Sequence, residues 1–149
     1  MKRLLVVFLS LVIMVSFMSV NAWADDLDGE DDSIYENRLR YTYVQSVDVG
    51  FGINSSHKAS WDADILAPAL SGGVFDLIAT LQKYNSSTGK YAKYDYWIKT
   101  TDPVPSGYAY WYGSKTGIPK GKYRMKCVFG VGKGPLYENV VRYSSVVNH

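Results

Sequence analysis

The chain has 149 residues, nearly half of them hydrophobic, with 16 basic and 14 acidic side chains, two histidines and one cysteine. A single cysteine excludes an intrachain disulfide, so any fold must rest on an apolar core rather than covalent staples. The net charge of +2 excludes a uniformly polyanionic or polycationic molecule, although the charges prove to be unevenly placed.

Lys2 and Arg3 open the chain, and residues 4–20 then run without a charge, broken only by Ser10, Ser16 and Ser19. Ala22-Trp23-Ala24 closes the run with small residues at the two positions a signal peptidase reads. Residues 1–24 are therefore expected to be a cleaved signal peptide, and the protein to be secreted. A retained membrane anchor is the alternative. It is disfavoured because the run falls short of the about 20 apolar residues that span a bilayer and is followed by acids rather than a basic cluster. No later segment is apolar for long enough to cross a membrane.

Residues 25–37 carry seven acids (Asp25, Asp26, Asp28, Glu30, Asp31, Asp32 and Glu36) and no base. With Lys2 and Arg3 set aside, residues 38–149 keep fourteen bases against seven acids. Like charges packed that densely oppose compaction, so residues 25–38 are expected to be a disordered acidic leader. It would add solubility, or shield a basic domain spanning residues 39–149 until a polyanion displaces it.

From residue 39 the pattern is that of strands. Val47, Val49, Phe51 and Ile53 alternate with polar or small residues, a period of two that buries one face. After a turn at Asn54-Ser-Ser, Ala59, Trp61, Ala63 and Ile65 form an inward row, with Asp62 and Asp64 on the outer face. Phe75, Leu77, Ala79 and Leu81 form the next, where Ile78 on the opposite parity points to cover on both faces. Asn85-Ser-Ser-Thr-Gly89 is a hairpin loop. Residues 91–100 return as an aromatic strand, which Asp102-Pro-Val-Pro-Ser-Gly107 breaks. Residues 108–112 hold four aromatics. Tyr123, Met125, Cys127 and Phe129 alternate inward, and residues 138–147 close the sheet. About seven strands with short links and no amphipathic helix predict an antiparallel β-sandwich. Trp61 is the expected central core residue. Tyr123 is the expected corner tyrosine that returns its hydroxyl to nearby backbone.

Arg40-Tyr-Thr-Tyr-Val-Gln-Ser-Val, His57-Lys-Ala-Ser, Ala79-Thr-Leu-Gln-Lys and Lys120-Gly-Lys-Tyr-Arg-Met-Lys-Cys follow one another in an order that resembles a family of small exported proteins of Gram-positive bacteria. That family is of immunoglobulin-like build and has no assigned function. The resemblance covers most of residues 40–147. The fold class it implies is all-β, an immunoglobulin-like or fibronectin III-like sandwich. It brings no active site with it, and the chain departs from the family in being unusually aromatic between residues 91 and 112.

Catalytic chemistry finds little support in the residues. His57 lies beside a turn with Ser55, Ser56 and Ser60 nearby, but neighbours on a turn or strand seldom face one another as a triad requires. Cys127 shares the inward parity of Met125, which implies a buried, inert thiol. Asp62 and Asp64, about 7 Å apart along one strand face, could serve as a carboxylate pair or, with Asp48 or Asp76, as oxygen ligands for Ca²⁺. They lack a cleft and a recognised loop spacing, so a solvated outer face is the simpler reading. The expectation is a non-enzymatic protein without metal or cofactor.

The aromatic cluster is the strongest anomaly. Tyr84, Tyr91, Tyr94, Tyr96, Trp97, Tyr108, Tyr110, Trp111 and Tyr112 fall in under thirty residues, and alternation cannot bury them all. Tyr94, Tyr96, Trp97, Tyr108, Tyr110, Trp111 and Tyr112 are the candidate contact residues, with Lys83, Lys90, Lys93 and Lys99 as a basic border. Such a face suits carbohydrate, an anionic wall polymer or a protein. Export makes nucleic acid an unexpected partner. The function expected is an extracellular or envelope binding module. A self-associating envelope protein is the main alternative, and a small secreted hydrolase a weaker one.

Overall fold

The computed structural model describes residues 41–149, which belong to one compact unit, Arg40–His149. The expected signal peptide, residues 1–24, and acidic leader, residues 25–38, lie outside the described residues. Eight strands follow one another: β1 (Ser46–Ile53), β2 (Ala59–Leu66), β3 (Gly73–Asn85), β4 (Lys90–Val104), β5 (Tyr108–Lys115), β6 (Lys122–Lys133), β7 (Leu136–Tyr143) and β8 (Val147–Asn148). A single 3-10 turn, Pro68–Leu70, links β2 to β3. No helix among the described residues is long and apolar enough to cross a membrane.

Every pairing is antiparallel. A smaller sheet has the order β1-β2-β5, and a larger one the order β4-β3-β6-β7, with β8 against the start of β6. The two sheets share one core, filled by the inward rows the alternation predicts. These are Trp61, Ala63 and Ile65 from β2, Phe75, Leu77, Ala79 and Leu81 from β3, and Tyr123, Met125, Cys127, Phe129 and Val131 from β6. Trp61 joins the sheets by packing on Trp97 of β4, ring centroids 5.4 Å apart.

The boundaries differ from the expected ones in two places. The stretch expected as one closing strand, residues 138–147, divides at Ser144. Its hydroxyl accepts from the Met125 amide at 2.9 Å and donates to the Ser145 carbonyl at 2.8 Å, drawing the backbone out of the ladder. Of the two prolines expected to break β4, Pro103 does not, because pairing with β3 runs on to Val104, and the strand ends just before Pro105. β4 is an edge strand, and an edge tolerates Pro103, which has no N–H to offer.

Tyr123 is fully buried and its hydroxyl donates to the Pro119 carbonyl at 2.9 Å, four residues upstream. The expected tyrosine corner is therefore present. Tyr123→Phe leaves that carbonyl without its donor, so the expected loss is about 1–2 kcal/mol of stability with the fold retained, read from urea denaturation. Burial pushes the Cys127 thiol up to about 12, in keeping with an inert core group.

Candidate functional site

β5 follows strict alternation. Ala109 and Trp111 turn inward, while Tyr108, Tyr110 and Tyr112 turn outward at 46%, 51% and 72% exposure. The register sets this tyrosine row against β2, with Tyr108 opposite Leu66, Tyr110 opposite Asp64 and Tyr112 opposite Asp62. One strand further, Asp48 stands directly opposite Asp64, and Gly50 opposite Asp62. The Asp62 carboxylate lies over Gly50, where any side chain would collide with it. The outer face of the smaller sheet is thus a row of exposed phenols beside three carboxylates.

The carboxylates feel one another. Asp64 is held above the usual carboxylate range, first by partial burial and then by the charges of Asp48 and Asp62. Tyr108 is pushed up by desolvation, then by Asp64 and Tyr110. The rings of Tyr110 and Tyr112 lie 6.2 Å apart and 34° from parallel, a shallow aromatic platform. Among the described residues no group of three histidines, cysteines or carboxylates is arranged to hold a metal.

The larger sheet presents different chemistry. Across its outer face, Tyr96, Thr80, Lys126 and Tyr143 lie in register from β4 to β7, and beside them lie Ile98, Ile78, Val128 and Val141. The second row is apolar from edge to edge, with Ile98 at 64% and Ile78 at 44% exposure. Toward the other end, the Arg124 guanidinium lies between the Tyr91 and Tyr143 rings, 4.1 and 4.3 Å from their centroids. Its Nε donates to Gln82 Oε1 at 2.8 Å. Lys122 sits over Tyr84 and Lys93 over Tyr96, at 5.2 and 4.9 Å.

Several sequence expectations need correction here. Trp111 is in the core, 6% exposed, with its indole N–H donating to Thr101 Oγ1 at 3.1 Å. Trp97 is partly buried against Trp61. Both point inward because they share the parity of core residues on their strands, so neither belongs to a contact face. Tyr94 and Tyr96 were expected side by side. Gln82 pairs with Lys93 and Leu81 with Asp95, which leaves Tyr94 as the extra residue of a β-bulge. The bulge turns the Tyr94 ring edge-on to Tyr123, 5.8 Å away, while Tyr94 stays 39% exposed, and it leaves Tyr96 on the other side with Lys93. Ile78 is not covered on its outer side. The aromatics divide between two faces: the β5 tyrosines keep company with acids, whereas Tyr84, Tyr91, Tyr96 and Tyr143 lie with the bases on the larger sheet.

Sequence reasoning passed over Tyr143 and Arg124. The signal available was the alternation of Arg124 and Lys126 with inward Tyr123 and Met125, which sends two cations to the same outer side, where neighbouring side chains bury both. It also missed the His57 Nδ1 to His149 Nε2 contact at 2.7 Å, which no local pattern announces across 92 positions. The ring partner of His57 is thus another imidazole rather than one of its neighbouring serines.

No protein-family model matches the chain, and no curated protein does.

Proposed function

We propose that the protein is an exported, non-catalytic binding module of immunoglobulin-like, fibronectin III-like build, and that the β1-β2-β5 outer face contacts carbohydrate. The build is supported by the strand orders β1-β2-β5 and β4-β3-β6-β7, to which β8 adds a fifth strand, and by the tyrosine corner. Export is supported by residues 1–24 alone.

One observation carries the ligand reading. Asp48 opposite Asp64, with Asp62 two residues away, sets like charges across a strand pair, an arrangement that costs stability. Its location beside three solvent-facing tyrosines is what a sugar face requires. Phenol rings stack on the C–H face of a pyranose, and carboxylates accept hydrogen bonds from its hydroxyls. An anionic wall polymer suits this face poorly, since the same carboxylates repel it.

The test is retention on insoluble peptidoglycan, chitin and cellulose and titration with soluble glucans and mannans. Tyr108→Ser, Tyr110→Ser and Tyr112→Ser together are expected to weaken retention at least tenfold, with near-UV circular dichroism and Tm almost unchanged. Global unfolding of the triple variant would make the row structural. Unchanged retention, or none by the native chain, would remove carbohydrate as the ligand.

A further inference from the structure

The two outer faces are opposite in charge as well as in position. The smaller sheet exposes Asp48, Asp62 and Asp64 beside tyrosines. The larger sheet exposes Lys93 and Lys122 on its outer side, with the buried Arg124 and Lys126 in the same layer beneath them and Asp76 further along β3. The cations are pre-placed, with Lys93, Lys122 and Arg124 each lying over a tyrosine ring, so little side-chain freedom is left to lose on contact. Beside them runs the apolar row through Ile98 and Ile78. A solvated sheet face gains nothing from two such exposed isoleucines, whereas a protein contact buries them.

We infer that the larger sheet's outer face docks the smaller sheet's outer face of a second copy of this chain. The acidic tyrosine face supplies carboxylates for Lys93 and Lys122, and its aromatic rings cover Ile98 and Ile78. Pairing of either face with its own kind sets like charges together, which disfavours a two-fold dimer. Because the complementary faces lie on opposite sides of the core, each added copy leaves one face of each kind free. Association is therefore head-to-tail and does not close at two.

Three eight-residue strands cover roughly 15 by 26 Å. That is below the area of stable specific interfaces and in the range of weak, transient ones, so association is expected at roughly 100 µM. The inference shares the β5 tyrosines with the carbohydrate reading but adds residues that the reading does not use.

Sedimentation velocity on the chain from residue 25 onward tests it, across 1–500 µM at 20 and 500 mM NaCl. The native chain should associate with concentration at low salt and return toward monomer at high salt, as screening shortens charge attraction. Lys93→Glu with Lys122→Glu, and separately Asp48→Lys with Asp62→Lys, should each stay monomeric. Mixed together, the two variants should associate, because each reversed face meets a reversed partner. Ile98→Thr should weaken association about tenfold while leaving polysaccharide retention intact, which separates this contact from the sugar face. A native chain that stays monomeric throughout would overturn the inference, as would a mixture that stays monomeric. If the native chain is monomeric but associates once residues 25–37 are deleted, the acidic leader occupies the basic face, and the second copy is not its natural partner.

Discussion

Trp61→Ala is expected to destabilise the protein by about 3–5 kcal/mol, the range for a buried aromatic truncated to alanine. Trp61 is 2% exposed at the centre of the three-stranded sheet, and its indole reaches across to Trp97 of the larger sheet. On β5, Gly113 stands directly opposite, and a Cβ there would come within 2.7 Å of the ring. The neighbouring strand has thus given up a side chain to admit the indole, and nothing nearby can fill the space its removal leaves. For a domain of this size the loss corresponds to a Tm drop of about 15–30 °C. Trp61→Phe separates shape from polarity. The indole N–H is buried without a hydrogen-bond partner, so phenylalanine loses volume but no bond, and about 1–2 kcal/mol is expected. Urea denaturation of both variants decides the matter. A loss under about 1 kcal/mol for alanine would mean that Trp61 does not join the sheets.

Glu138→Ala is expected to cost about 2–3 kcal/mol and to free the segment ahead of β1. The Glu138 carboxylate, on β7, accepts from three successive backbone amides, those of Thr42, Tyr43 and Val44, at 2.8, 2.9 and 3.1 Å. Those amides precede β1 and lie outside its ladder. A charged acceptor shared among adjacent N–H groups forms a small anion nest, and hydrogen bonds to a charged group contribute about 1.5–3 kcal/mol when buried. Part of this site is exposed, which trims the total. Val44 is buried and Tyr41 and Tyr43 pack on the core, so releasing the segment also uncovers apolar surface. Faster amide exchange at residues 42–44, with β6 unchanged, is the expected signature. Glu138→Gln keeps one oxygen acceptor and should recover about half the loss. Equal exchange in all three proteins would show that the nest does not hold the segment.

The core was readable from alternation alone, because a strand buried on one face must place apolar groups at every second residue. Ala63, Ile65, Phe75, Leu77 and Leu81 lie where that rule puts them. Tyr123 was readable too, since the turn before it and its inward parity leave its hydroxyl only nearby backbone to meet. The contact face was half legible. The β5 tyrosines follow their parity, but parity gives a side and not the identity of that side's neighbours. Tyr94 shows a second limit. One extra residue opposite Leu81 and Gln82 reverses the facing of everything on one side of it, and a bulge leaves no mark in composition.

From the order of its residues alone, this chain determined its all-β class, the inward rows of β2, β3 and β6, the corner at Tyr123 and the burial of Trp61 and Cys127, because these follow from local periodicity and apolar burial. Only the tertiary structure decided which strands share a sheet. That decision set Asp48, Asp62 and Asp64 beside Tyr108, Tyr110 and Tyr112, and gathered Lys93, Lys122, Arg124 and Lys126 on the opposite face. The reason is physical: charge complementarity depends on neighbours across strands, and cross-strand neighbours far apart in the chain are fixed by topology and register rather than by local pattern.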